Sequence, residues 1–174
     1  MGESFFYHKS VTTVVGEMLP NTLMLTLISL ILAYIYGVIA GIVLAWRRGS
    51  SLETVGIIGT LITRSAPQFW VGMIMLTIFA FKLHWFPASG ATSPGAIYPS
   101  FWHQLASMDF WQHLVLPAFT MAFYLQGLPL LLMRSNMLDV MQEDFVTMAR
   151  MKGLSEWNVM IRHAARNALL PVVT

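Results

Sequence analysis

Residues 22–46 read TLMLTLISLILAYIYGVIAGIVLAW, and the run stops at Arg47-Arg48-Gly49-Ser50. It holds no charged side chain, and its polar groups are chiefly Thr22, Thr26 and Ser29. Hydroxyls of this kind can bond back to their own helix. A bilayer core about 30 Å thick needs roughly 20 such residues to cross it as a helix. The stretch therefore reads as a membrane span with an abrupt basic end.

Two more apolar runs lie outward from it. The run 55–81 is interrupted by Arg64 and Pro67, and the run 114–133 contains Pro117, Gly127 and Pro129. Proline and glycine are tolerated in spans where neighbouring helices or water satisfy the freed backbone groups. Across all 174 residues, 56% are hydrophobic and 10% charged, against about 25% charged in an average soluble domain. So few charges cannot solvate a surface unless lipid or another subunit covers much of it. This excludes a disordered chain, and it leaves a set of buried helices in a large soluble protein without enough polar cover. The net charge of +2 is too small to imply a nucleic-acid partner. With no cysteine, disulfide frameworks, thiolate metal sites and cysteine nucleophiles are also excluded. The fold class is all-α, a polytopic helical membrane bundle.

Lysine and arginine orient it. Arg47 and Arg48 separate the first two runs, and Arg134, Arg150, Lys152, Arg162 and Arg166 follow the third; the opposite side holds only Lys9 and Lys82. Excess positive charge marks cytoplasmic loops. Residues 47–54 and 134–166 are thus placed in the cytoplasm, and the first 20 residues and the loop 82–113 outside. The outer loop carries Trp85, Phe86, Tyr98, Phe101, Trp102, Phe110 and Trp111, which fit an aromatic belt at the membrane interface. Met1-Gly2-Glu3-Ser4 lacks the basic start of a signal peptide, and no apolar core follows it. Within residues 1–20, Val11, Val14, Val15, Met18 and Leu19 share a helical face. The expectation is a short amphipathic helix on the outer interface, with the chain turning inward at Pro20.

Residues 139–166 form the only long polar stretch. Asp139, Glu143 and Asp144 open it, and Arg150 and Lys152 close its first half, a charge order that suits a helix dipole. Phe145, Met148, Ala149 and Lys152 are expected on one face. Gly153 can take a positive φ at a helix end, and Ser155 can cap a second helix through Trp157, Ile161 and Ala164. The reading is a helix, a glycine turn and a helix beneath the membrane. From the residues alone it could equally be a solvated loop with no partner.

The segment from Glu143-Asp144-Phe145-Val146-Thr147-Met148-Ala149-Arg150-Met151-Lys152-Gly153-Leu154-Ser155 through Arg162-His163-Ala164-Ala165-Arg166-Asn167-Ala168-Leu169-Leu170-Pro171 resembles the cytoplasmic signature loop of ATP-binding cassette (ABC) importer permeases. Leu19-Pro20-Asn21-Thr22-Leu23, Ala66-Pro67-Gln68-Phe69-Trp70-Val71-Gly72 and Trp85-Phe86-Pro87-Ala88-Ser89-Gly90 are similar to the dipeptide/oligopeptide/nickel branch. The resemblance covers residues from about 10 to 174. The general signature has Glu-Ala-Ala before the glycine, where this chain has Thr147, Met148 and Ala149. The later proline of that signature is missing near His163 to Arg166, whereas Pro171 fits the branch pattern.

The resemblance implies an inner-membrane, multi-pass permease subunit of a prokaryotic importer, moving di- or oligopeptides by alternating access. Nickel or another small solute of the same branch is the alternative cargo, and a non-transporting membrane scaffold the alternative role. It further implies a second, related permease, two ATPase subunits and an extracytoplasmic solute-binding protein as partners. ATP and magnesium would sit on the ATPase subunits, with no cofactor on this chain. No phosphate-loop, Gly-x-Ser-x-Gly or His-Glu-x-x-His pattern is present, so the chain itself is not expected to be an enzyme. Ala149, Lys152, Gly153, Leu154, Ser155 and Glu156 are the residues expected to couple to the ATPase, with the docking turn near Gly153–Glu156.

Arg64, Pro67 and Gln68 are candidates for the translocation pathway. An arginine at the centre of a span costs roughly 2.5–3.5 kcal/mol on insertion scales. It either meets a substrate carboxylate or partner acid, or snorkels to the cytoplasmic interface. His84, His103, His113 and Asp109 match no metal-ligand spacing and read as interfacial polar residues. The 13 methionines read as adaptable packing. The apolar run 168–174 rises only about 10 Å as a helix. It is expected to be the start of a fourth span in a partial bundle, within a longer protein.

Overall fold

The computed structural model describes residues 2–173; Met1 and Thr174, the outermost residues of the expected interfacial segment and fourth-span start, lie outside the described residues. The regular secondary structure of the described residues is helical, with one isolated β-bridge, Glu3–Ser10. Helix α1 is Val11–Trp46, α2 Ser51–Ser65 and α3 Gln68–Met75, which continues as a π-helix over Leu76–Lys82. After an irregular loop come α4 (Phe101–Leu105), α5 (Met108–Leu125), α6 (Gly127–Val140) and α7 (Asp144–Met151). The short α8 (Glu156–Asn158) leads through a second π-helix, Val159–Ala165, into α9 (Arg166–Val173).

The separate interfacial helix is corrected. The chain does not turn at Pro20, because α1 runs unbroken through it. A helical proline removes one backbone hydrogen bond and commonly bends the axis, but the rest of a 36-residue ladder survives. Helix α1 begins instead at a small loop closed by Ser4 N donating to Lys9 O at 2.8 Å. Leu23, Leu27, Ile31, Ile35 and Ile39 form an exposed stripe four residues apart, while Ser29, Ala33 and Ala45 are buried. The Ser29 hydroxyl donates to the Leu25 carbonyl at 2.6 Å, so its burial leaves no polar atom unpaired.

By length and apolarity α1 alone can cross a bilayer as one unbroken helix, among the described residues. Helices α5 and α6 meet the same test only together, across a 43° bend. The second run is broken at Ala66, whose φ of −72° and ψ of 142° are extended. Pro67 explains this, since a proline ring pushes the preceding residue out of the helical region.

The chain forms two compact units, Met1–Leu30 with Gln68–Met121, and Ile31–Pro67 with Ala122–Thr174. In the second unit a core gathers Ala45, Met133, Met137, Met160, Ala164, Ala165, Ala168 and Val172. Small residues let its helices approach closely. A Cβ at Gly41 would stand 2.7 Å from the Leu130 carbonyl oxygen and 2.8 Å from Met133 Cβ, and one at Gly37 2.8 Å from the Gln126 carbonyl oxygen. Glycines four apart in an apolar helix permit this backbone-to-backbone packing.

Candidate functional site

The turn after α7 is built from its backbone outward. Helix α7 ends where Gly153 takes φ 74°. Gly153 N donates to Arg150 O at 2.9 Å and Leu154 N to Ala149 O at 3.4 Å. This pair of bonds is the Schellman closure of a helix C-terminus, and it favours a left-handed glycine. The Ser155 hydroxyl then accepts from Asn158 N at 3.4 Å, capping α8. Arg150 Nε pairs with Glu156 Oε1 at 3.4 Å across the turn.

Lys152, Gly153, Leu154, Ser155 and Glu156 are all exposed, in an unbroken exposed stretch. Ala149 is buried at 4% against Val146 and Val159, so it packs the turn from beneath. The expected shared face of Phe145, Met148, Ala149 and Lys152 is corrected in part: Ala149 and the half-buried Phe145 do pack inward, joined by Val146, while Met148 and Lys152 are exposed. Met151 and Trp157, 77% and 67% exposed, flank the turn as an apolar pair that periodicity assigned no outward role. Their signal was the surplus of large apolar side chains on a segment that needs only Val146, Ala149 and Val159 to pack.

The turn between α1 and α2 is locked to α6. Ser50 caps α2, with Glu53 N donating to Ser50 Oγ at 3.3 Å. Gly49 N donates to Glu53 Oε2 at 2.6 Å, and Arg134 Nε donates to Glu53 Oε1 at 2.9 Å, joined by a second bond from Arg134 Nη2. The Gly49 amide and then the Arg134 guanidinium hold the Glu53 carboxyl below its ordinary value. Sequence reading missed this pair, because nothing local links residues 81 positions apart.

Arg64 is exposed on the last turn of α2. A Cβ at Gly127 would stand 2.6 Å from Arg64 Cδ and 2.8 Å from its Cγ, so the aliphatic stem lies across a bare glycine at the start of α6. Pro67 makes the break after α2. Gln68 begins α3 and, in its own unit, lines a cavity of about 650 Å³ with Phe69, Ser89, His113 and Thr120.

The histidines of the segment 82–113 are not alike. His113 is buried, and its Nδ1 lies 2.8 Å from the Asp109 carbonyl oxygen and 3.5 Å from Asp109 Oδ1. The Asp109 carboxylate accepts from Ser93 Oγ at 2.6 Å, Ser93 N at 2.9 Å and Tyr98 OH at 3.1 Å. The Ser93 hydroxyl and amide, then Tyr98, hold this carboxyl below its ordinary value. The reading of His113 as merely interfacial is therefore corrected. The described residues gather no three His, Asp or Glu side chains that could hold a metal ion.

Residues 37–174 match the family of binding-protein-dependent transport system inner membrane components. The chain belongs to this family. Its helical architecture and inner-membrane location follow from that membership. The chain is 34% identical over 174 residues to a putative peptide transport system permease protein of Brucella abortus, covering 100% of this chain and 52% of the relative. It is 36% identical over 164 residues to the oligopeptide transport system permease protein AppB of Bacillus subtilis, covering 94% and 50%. It is 33% identical over 173 residues to the glutathione transport system permease protein GsiC of Salmonella typhi, covering 99% and 51%. The chain spans about half the length of the curated relatives it matches. These relatives are named for the transport of peptides, oligopeptides and glutathione.

Proposed function

We propose that this chain is part of a permease subunit of an ATP-driven, binding-protein-dependent importer of di- or oligopeptides. The single observation that carries the reading is the exposed, glycine-closed turn 152–156 in a chain of this inner-membrane family. The turn is rigid at its base, through the Schellman bonds and the Ser155 cap, and presents Met151, Leu154 and Trp157 outward. Such a turn suits docking into a groove of an ATPase subunit. Closure of an ATPase pair on ATP and magnesium would then rock the spans as rigid bodies between inward- and outward-open states. Two ATPase subunits, a second related permease and an extracytoplasmic binding protein complete the assembly. The chemistry of ATP stays with the ATPase subunits, and this chain holds no cofactor of its own.

The cytoplasmic helices, the three spans 22–46, 55–81 and 114–133, and the span beginning at 168 share this work. Arg64, Pro67 and Gln68 belong to the pathway: Pro67 supplies the break, and Arg64 the only charged side chain within the three apolar runs. The experiment is co-purification. The chain is expected to bring down an ATPase subunit, and replacing the outward apolar residues Leu154 and Trp157 together by charged ones, in variants that stay in the membrane, is expected to lose it. Retention of the ATPase subunit by those variants would overturn the assignment of the turn.

A further inference from the structure

His113 sits near the start of α5, and its side chain is 5% exposed. Its Nδ1 lies 2.8 Å from the Asp109 carbonyl oxygen. A carbonyl cannot donate, so Nδ1 carries the hydrogen, and the neutral ring presents Nε2 as an acceptor only. No described residue bonds Nε2, yet no buried side-chain nitrogen among the described residues lacks a partner. Nε2 is therefore not fully enclosed by protein atoms. His113 lines both the cavity of about 650 Å³ and a neighbouring one of about 170 Å³. The larger volume lies within the roughly 300–1,000 Å³ of small-ligand sites.

The ring is backed by charge. Asp109 Oδ1 is 3.5 Å from Nδ1, on the side away from Nε2. Ser93 and Tyr98 fix that carboxylate, so the imidazole is oriented by a group that is itself held by three hydrogen bonds. A carboxylate behind a neutral imidazole makes its free nitrogen a better acceptor and favours a positively charged donor. The rest of the wall is mixed. Gln68 and Ser89 add polar groups, while Phe69, Leu76, Leu116 and Met121 give an apolar surface. Thr120 spends its hydroxyl hydrogen on the Leu116 carbonyl at 2.8 Å, so it faces the cavity without a free donor.

We propose that this cavity is a subsite for the amino terminus of a peptide, with the ammonium group donating to His113 Nε2 and the first side chain lying on the apolar wall. Asp109 is a positioning residue, acting through His113. The inference rests on the peptide-permease reading and names which end of the solute this chain recognises.

The test uses the assembled transporter in proteoliposomes, with its binding protein and ATP. The probes are one labelled peptide with a free amino terminus and its N-acetylated form, a pair that the wild type imports in both forms. His113→Phe keeps the ring and removes the acceptor. It is expected to lower uptake of the free-amine peptide about tenfold relative to wild type, as loss of a hydrogen bond to a charged group should, and to leave the acetylated form unchanged. Equal loss of both forms would show that His113 only packs the site, and no loss would show that the cavity is not a solute subsite; either overturns the proposal. Should His113→Phe fail to assemble, Asp109→Asn reads the same preference, with a smaller loss confined to the free-amine form and the same overturning results. Absence of ATP-dependent uptake by the wild type would instead sink the permease reading and this inference with it.

Discussion

Replacing Gly41 by alanine tests how the second unit is held together. The new methyl carbon would stand 2.7 Å from the Leu130 carbonyl oxygen, 2.8 Å from Met133 Cβ and 3.1 Å from Arg134 N. Relaxed carbon contacts lie at about 3.5–4.0 Å. Two of these neighbours are backbone atoms of α6, so no rotamer change relieves the clash and the helices must part. Overpacking of this kind costs about 1–3 kcal/mol. Alanine offsets at most about 1 kcal/mol through its higher helix propensity. The net expectation is a destabilisation of about 1–2 kcal/mol. Gly37→Ala should behave alike, since its methyl would meet Pro129 Cγ at 2.7 Å and the Gln126 oxygen at 2.8 Å. Combining the two should cost less than their sum, because one parting of the helices relieves both. Gly59 is the control, as nothing lies within 4 Å of its missing Cβ, and Gly59→Ala should be neutral or slightly stabilising. The assay is thermal unfolding of the detergent-solubilised transporter. If Gly41→Ala and Gly37→Ala unfold no earlier than Gly59→Ala, the close α1–α6 approach is wrong.

The Glu53–Arg134 pair predicts a pH dependence. The folded carboxyl lies below its ordinary value, so its stabilisation is complete above the ordinary carboxylate range and is lost as pH falls through the lowered folded value. Glu53→Gln should therefore unfold earlier than wild type at neutral pH, with the gap closing in acid; a gap independent of pH would refute the ionic account. Gly153→Pro should uncouple the ATPase from uptake. Proline cannot adopt φ 74° and removes the donor to Arg150 O, so ATP hydrolysis measured beside peptide import should persist while import falls at least about tenfold. A Gly153→Pro transporter that assembles and imports normally would contradict the role given to the turn. Arg64→Gln should leave assembly intact and lower import of carboxylate-bearing peptides about tenfold; unchanged affinity and rate would mean that Arg64 only snorkels.

Residue spacing carried the parts of this fold that are local. The charge-free run before Arg47, the extended Ala66 before Pro67, and the glycine-and-serine punctuation at Gly153 and Ser155 each act within a few residues, and each is visible in the chain. What escaped is non-local or negative. Pro20 was read as a turn because a proline signal is strong, yet a long helix absorbs it. Glu53 and Arg134 meet only because α2 and α6 pack, which no sequence period records. Gly37 and Gly41 did stand four apart in an apolar run, a sign of close helix approach that the reading of hydropathy passed over. In the turn, periodicity chose a face of Phe145, Met148, Ala149 and Lys152, whereas packing kept Phe145 and Ala149, added Val146 and left Met148 and Lys152 exposed. Short helices offer too few residues for a period to decide between adjacent faces. His113 and Asp109 lie one helical turn apart in sequence, but the Asp109 carboxylate is held by Ser93 and Tyr98, whose approach no sequence period records.

The central claim is that this chain helps turn ATP hydrolysis into solute import. Its most direct test is uptake of a labelled peptide into proteoliposomes that carry the assembled transporter with ATP enclosed. The account predicts accumulation that requires both ATP and the binding protein and that falls with Gly153→Pro. Accumulation that proceeds without ATP, or none under any of these conditions, would contradict it.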